Sequence, residues 1–265
     1  MKKYLPDFSV IVFFFFFTAS QAQLDLSHEL GLFFGTASLQ TDFGERYDFP
    51  SENAATMSFG VTHYLKFFGS QYNWRSGTSY FSQHFKLKTQ FNYLSNSKIE
   101  HEGRYAKQDN EVGRKLRRMT GSVKMYNFGT NLEYYFFELE DFSSYFRSSG
   151  KLNPFVNVGI HYAFFQPDIF VDGVSLKGQE EPHSALIDKW QTGAIHLEDD
   201  SSFALSGGAG VRYSLDKLDI LLDARYQYFF SDRIDGLDAP NDPGNRNEDT
   251  MILVNLGVVY VFGKD

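Results

Sequence analysis

The chain contains no cysteine, so neither a disulfide framework nor a thiolate metal site is open to it. Tryptophan is scarce, with 2 residues in 265. No apolar run approaches the roughly 20 residues that an α-helix needs to cross a bilayer. Segments beyond residue 22 carry no sustained helical apolar period. Positive charge is also short: the formal net charge is -8, which excludes nucleic acid as a partner. No Gly-x-Gly-x-x-Gly turn joins a strand to a helix. Gly207-Gly208-Ala209-Gly210 has the wrong spacing and lies within a strand pattern, so no dinucleotide or other cofactor is implied.

What the chain has is aromatic side chains. They make up 18% of it, with 29 Phe and 16 Tyr. Mean hydropathy is nevertheless -0.34, so apolar and polar residues must be interleaved. Residues 1–22 read as a signal peptide. Lys2 and Lys3 form its positive end, Phe8 to Phe17 its apolar core, and Ser20-Gln21-Ala22 a small-residue cleavage site before Gln23. Residues 23–265 then read as one domain.

That domain shows period two eight times, over 28–38, 56–67, 84–93, 126–136, 156–164, 203–213, 218–230 and 252–262. In the seventh segment Leu218, Ile220, Leu222, Ala224, Tyr226, Tyr228 and Phe230 alternate with Asp219, Asp223, Arg225 and Gln227. A soluble sandwich would turn the apolar set inward. Two features argue for the opposite. The other parity is rich in Gly, Ala, Ser and Asn, which suit a crowded small-barrel interior. The aromatics also gather at strand ends: Phe67, Phe85, Tyr134, Phe136, Tyr213, Tyr260 and Phe262 at an inner rim, and Phe34, Tyr93, Phe164, Tyr228 and Phe230 at an outer one. Two aromatic girdles around an apolar band mark a membrane barrel. The expected fold is all-β: an eight-stranded antiparallel up-and-down transmembrane β-barrel with long extracellular loops. Those loops fall at 39–54, 96–118, 166–201 and 231–248, and the inner links at 68–82, 138–151 and 214–217, the first two long enough for a helical turn.

The interior parity carries Glu29, Lys66, Lys86, Lys88, Glu133, Arg212, Asp219, Asp223 and Arg225, five positive and four negative. They are expected to form a plug of ion pairs rather than an ion path. The seven His are scattered, with no pair at ligand spacing on one strand face, and no metal is implied. Asp232, Asp235, Asp238, Asp242, Glu248 and Asp249 read as a solvated acidic loop, since the spaced calcium-loop pattern is missing. A catalytic reading would use His183-Ser184 with Glu180 or Glu181. These adjacent residues sit in a polar loop with no strand to hold them, so no enzyme is expected. Residues 98–118 carry seven Lys/Arg and four Asp/Glu, and 167–200 two Lys/Arg and eight Asp/Glu. The basic loop suits lipopolysaccharide phosphates as well as it suits its acidic neighbour. In the acidic loop Asp172-Gly173 reads as a hairpin turn, and the segment with Trp190 as an exposed contact surface.

Asn255-x-Gly257-x-x-Tyr260-x-Phe262 resembles the insertion signal on the last strand of bacterial outer-membrane barrels, although Phe262 is not the final residue. The chain also resembles a largely uncharacterised family of small Bacteroidota barrels. The residues concerned are His28-Glu29-Leu30-Gly31, Gly60-Val61-Thr62-His63-Tyr64-Leu65, His84-Phe85-Lys86-Leu87, Pro154 to Tyr162 and Tyr228 to Leu237. A related PorG-like group serves type IX secretion and gliding. The resemblance implies an outer-membrane location, outer-membrane lipid as surroundings and an envelope protein complex as partner.

Overall fold

The computed structural model describes residues 27–43, 56–67, 79–101, 103–139, 151–180, 183–190, 192–215, 217–239 and 248–262. The expected signal peptide, residues 1–22, lies outside them, as do Gln23, Glu181 and Asp242.

The strands are β1 (Ser27–Gln40), β2 (Thr56–Lys66), β3 (Phe85–Glu100), β4 (Met119–Tyr135), β5 (Lys151–Val171), β6 (Val174–Ser175), β7 (Asp200–Ser214), β8 (Leu218–Phe229) and β9 (Thr250–Val261). Eight of them form the wall and β6 is a two-residue extension beside β5. Every pairing is antiparallel, β1 pairs with both β2 and β9, and β4 closes on β5. No wall strand is an edge. Closure removes the free wall edges that a hydrocarbon surround forbids.

Alternation decides which face meets lipid. Leu32, Val158, Ile160 and Phe203 are 64–68% exposed, while Glu29, Lys86, Lys88 and Arg212 are at most 2% exposed. Exposed Leu, Val, Ile, Phe and Tyr continue around all of the wall strands. This inverts a soluble protein, and so large an apolar belt is stable only in a bilayer. The protein is a transmembrane β-barrel. Aromatic contacts mark both ends of the belt. Phe81–Phe85, Phe85–Tyr134 and Tyr260–Phe262 stand 4.7, 5.2 and 5.1 Å apart between ring centres at the inner end. Tyr93–Tyr126 and Tyr228–Phe230 stand 5.2 and 5.7 Å apart at the outer end.

The inner link contains the short helix α1 (Tyr80–His84), capped by the Ser79 side chain accepting from Ser82 N–H. The second outer loop contains α2 (Glu111–Arg118), which no apolar period announces because it spans only two turns. Its signal is in the ends. Asn110 accepts from Gly113 N–H at 2.7 Å, Glu111 opens the helix and Arg117 and Arg118 close it.

Strands β3, β4, β5 and β7 run beyond their expected outer ends. There the inward face changes character. Met125, Phe165, Ile169, Phe229, Met251 and Leu253 are fully buried inside the outer end. Loop residues Leu176, Leu186, Trp190, Ala194, Ile234 and Leu237 pack onto them in the same cluster. Two expectations are corrected here. Trp190 is 3% exposed, so it anchors the third loop instead of presenting a contact surface. The last loop is not simply solvated, because Asp235 and Asp249 are buried within it. The physical reason is shared: strands that project past the lipid need a core of their own. The Asp172-Gly173 turn is as expected, with φ of 52° and 79° matching a two-residue type I′ hairpin between β5 and β6.

Candidate functional site

Each strand contributes inward side chains at every second position, so the barrel interior is assembled from all of the wall. At the inner end Glu29 of β1 is the hub. Its carboxylate meets Lys66 of β2 at 2.6 Å, Lys86 of β3 at 3.1 Å, and Arg212 of β7. Arg212 also donates to Asp219 of β8 at 2.7 Å. Tyr64 and Tyr135 line this layer, with Lys86 over both rings. One step higher, Lys88 lies 3.1 Å from Asp223 and 3.4 Å from Glu133. Glu133 in turn accepts from Tyr135 OH at 2.7 Å, and Asp223 from Asn157 Nδ2 at 3.2 Å. Eight of the nine inward charges named from the sequence are therefore joined by ion pairs no longer than 3.4 Å. Arg225 is the ninth. It is buried and, among the described residues, none of its three nitrogens has a hydrogen-bond partner.

A third layer was not singled out by sequence reasoning. His161 sits between Asn127 at 3.1 Å, Asn131 at 3.2 Å and Ser206 at 3.0 Å, and Asn127 donates to Gln227 at 2.9 Å. Their parity was legible, but a neutral network has no charge to draw attention to it. Sequence spacing also missed a cross-strand pair: His28 Nδ1 and His63 Nε2 are 3.0 Å apart. The register that sets Leu30 opposite His63 creates it.

The outer cap is held by two buried carboxyls. Asp235 accepts from Leu237 N–H at 2.8 Å and from Asp42 N–H at 3.0 Å. Asp249 accepts from Ile234 N–H at 2.8 Å. Burial and the Asp42 charge push the Asp235 carboxyl well above its ordinary range. Burial and Asp235 do the same to Asp249. Next to this cap, Arg118 Nε pairs with Asp172 Oδ1 at 2.9 Å, joining the basic second loop to the acidic third. Lys115 reaches Leu186 O across the same boundary at 3.1 Å.

The remaining sequence candidates fall apart. His183 is buried while Ser184 is exposed, and no hydrogen bond joins them among the described residues. Among the described residues no group of three or more His, Cys, Asp or Glu is placed to hold a metal ion. Asn255 and Gly257 of β9 face inward, whereas Tyr260 and Phe262 project outward at the inner rim.

No family model matches the chain, and no curated protein is similar to it. Among solved structures it is similar to neisserial surface protein A, at 11% identity and a TM-score of 0.43 over 89% of this chain and 97% of that one. It is also similar to Ail, the attachment invasion locus protein of Yersinia pestis, at 12% identity and 0.41 over 89% and 98%. A major outer membrane protein of Thermus thermophilus stands at 10% identity and 0.44 over 89% and 99%.

Proposed function

We propose that the protein is a non-enzymatic outer-membrane barrel that anchors a folded cap and presents it as an interaction surface. The observation that carries this reading is the apolar cluster that ties loop residues Leu176, Leu186, Trp190 and Leu237 to the barrel wall. A loop packed this way holds one shape, and a rigid support for a shaped loop surface is what recognition needs. Cap and plug together favour surface work over transport through the interior. Partners of this surface are an envelope protein complex, such as a type IX secretion or gliding assembly, and the surrounding lipid. The basic second loop also fits lipopolysaccharide phosphates. Lys124 supports that contact: its ammonium lies 5.8 Å from the Tyr93 ring centre and 5.9 Å from that of Tyr126, at the outer girdle.

Site-specific photo-crosslinking in native membranes tests the proposal. Crosslinkers replacing exposed cap residues Tyr105 and Glu180 should trap discrete protein adducts, while one replacing lipid-facing Leu32 should trap lipid alone. Cap positions that yield no adduct in cells would remove the platform reading.

A further inference from the structure

The inward charges do not cancel, and their contacts place the excess. In the upper charged layer Lys88 and Arg225 face Glu133 and Asp223, two against two. In the layer below, Lys66, Lys86 and Arg212 face Glu29 and Asp219, three against two. Both Glu29 oxygens are already shared there, Oε1 by Lys66 and Lys86, and Oε2 by Lys86 and Arg212. Asp219 Oδ2 accepts from Arg212. All five groups are at most 4% exposed, so bulk solvent does little to offset the positive charge left over.

This layer also has a cavity. A small recess at the inner mouth of the barrel is lined by Lys66, Lys86, Asn153, Arg212, Ser214 and Asp219, and it admits about one water-sized guest. Ser214 ends β7, is 1% exposed, and its hydroxyl is buried without a partner among the described residues. The Asn153 amide, by contrast, is spent on the inner link, accepting from Phe137 N–H at 3.1 Å and donating to Phe137 O at 3.0 Å. An uncancelled cationic charge, a space beside it and an idle hydroxyl donor thus meet at one place. The two ammonium groups carry more N–H donors than their contacts with Glu29 use. Asp219 also faces the recess, but Arg212 already matches its charge. A water molecule there would satisfy the hydroxyl without cancelling the charge.

We propose that this recess binds one small monovalent inorganic anion, chloride in the cell, held by the Lys66 and Lys86 ammonium groups, the Arg212 guanidinium and the Ser214 hydroxyl. One such ion brings the inner layer to neutrality and gives Ser214 its acceptor. Chloride is only slightly larger than water, and the flexible lysine stems give way for it; phosphate and sulfate are too large. The inference stands on the interior alone, independent of the function proposed for the cap.

The protein is refolded into detergent micelles in sodium chloride or, at equal ionic strength, in sodium methanesulfonate, whose anion is too bulky for the recess. The expected result is a higher unfolding midpoint in chloride, by a few degrees, rising with chloride concentration. Lys66→Met removes the surplus charge and should lose that dependence. Crystals of the unaltered protein grown in sodium bromide should show an anomalous peak in the recess, within hydrogen-bonding distance of the Ser214 hydroxyl and a lysine ammonium. That diffraction experiment decides the matter if the variant does not fold. Equal midpoints in the two salts would mean that a lysine sheds its proton instead and would overturn the proposal. So would a Lys66→Met barrel that still responds to chloride, or ordered water in the recess without bromide.

Discussion

Glu29 is the residue on which the inner layer depends. Three cations converge on one carboxylate, and among the described residues Asp219 is the other carboxylate that Arg212 meets. Glu29→Gln keeps the shape and removes the charge. Breaking a buried ion pair by one partner costs about 3–5 kcal/mol, and here three pairs lose the same partner. Urea unfolding in lipid vesicles should show a loss at least that large. On the opposite face, Leu222 is 47% exposed to lipid. Leu222→Arg should cost about 2–4 kcal/mol near the bilayer midplane. A Leu222→Arg barrel as stable as the parent in the same assay would mean that the faces are assigned the wrong way round. Asp223 is its inward neighbour, and its bonds to Lys88 and Asn157 make Asp223→Asn a buried-pair loss too.

At the scale of elements, the last loop joins the cap through protons. Asp235 and Asp249 hold the amides of Leu237, Asp42 and Ile234, and both carboxyls bind a proton more readily folded than unfolded. The sign follows from linkage. A carboxyl with a raised folded pKa loses stability as pH rises from its unfolded value, about 4, toward the raised one. The cap should loosen with rising pH across that window. Hydrogen exchange at Ile234 and Leu237 should then accelerate beyond the intrinsic base-catalysed increase, and Asp249→Asn should flatten the excess. Exchange that follows the intrinsic slope alone would show that these carboxyls do not control the cap. Strand β9 makes a separate prediction. Tyr260 and Phe262 form an edge-to-face pair on the lipid side of the final strand. The double change Tyr260→Ala with Phe262→Ala should reduce outer-membrane assembly, read as less heat-modifiable barrel per cell. Unchanged levels would remove the insertion-signal reading.

The whole molecule is closed at two depths, by ion pairs in its inner half and by an apolar plug in its outer half. The third loop belongs to the second closure, through Leu176, Leu186, Trp190 and Ala194. Its removal is therefore not a neutral surface change. Deleting residues 174–198 should uncover the plug, raise binding of an apolar dye and increase protease nicking, while the membrane-embedded wall keeps its strand content. A deletion variant with unchanged dye binding and proteolysis would show that the loop is peripheral.

The amino-acid order by itself determined the strands, their faces and the membrane. Alternation has a period of two, so a single segment such as 218–230 already sorts Leu222 to one side and Asp223 to the other. It equally placed the nine charges inside, because parity requires no partner to be known. Tertiary structure decided everything that depends on which strand lies beside which. Only register and shear bring Lys88 to Asp223 across the barrel, leave Arg225 without a hydrogen-bond acceptor among the described residues, and set His28 against His63. The cap was hidden for a related reason. Trp190 and Asp235 sit in segments without a period, and their burial comes from the projecting outer ends of distant strands. A loop carries no local pattern that reports a core supplied from elsewhere in the chain.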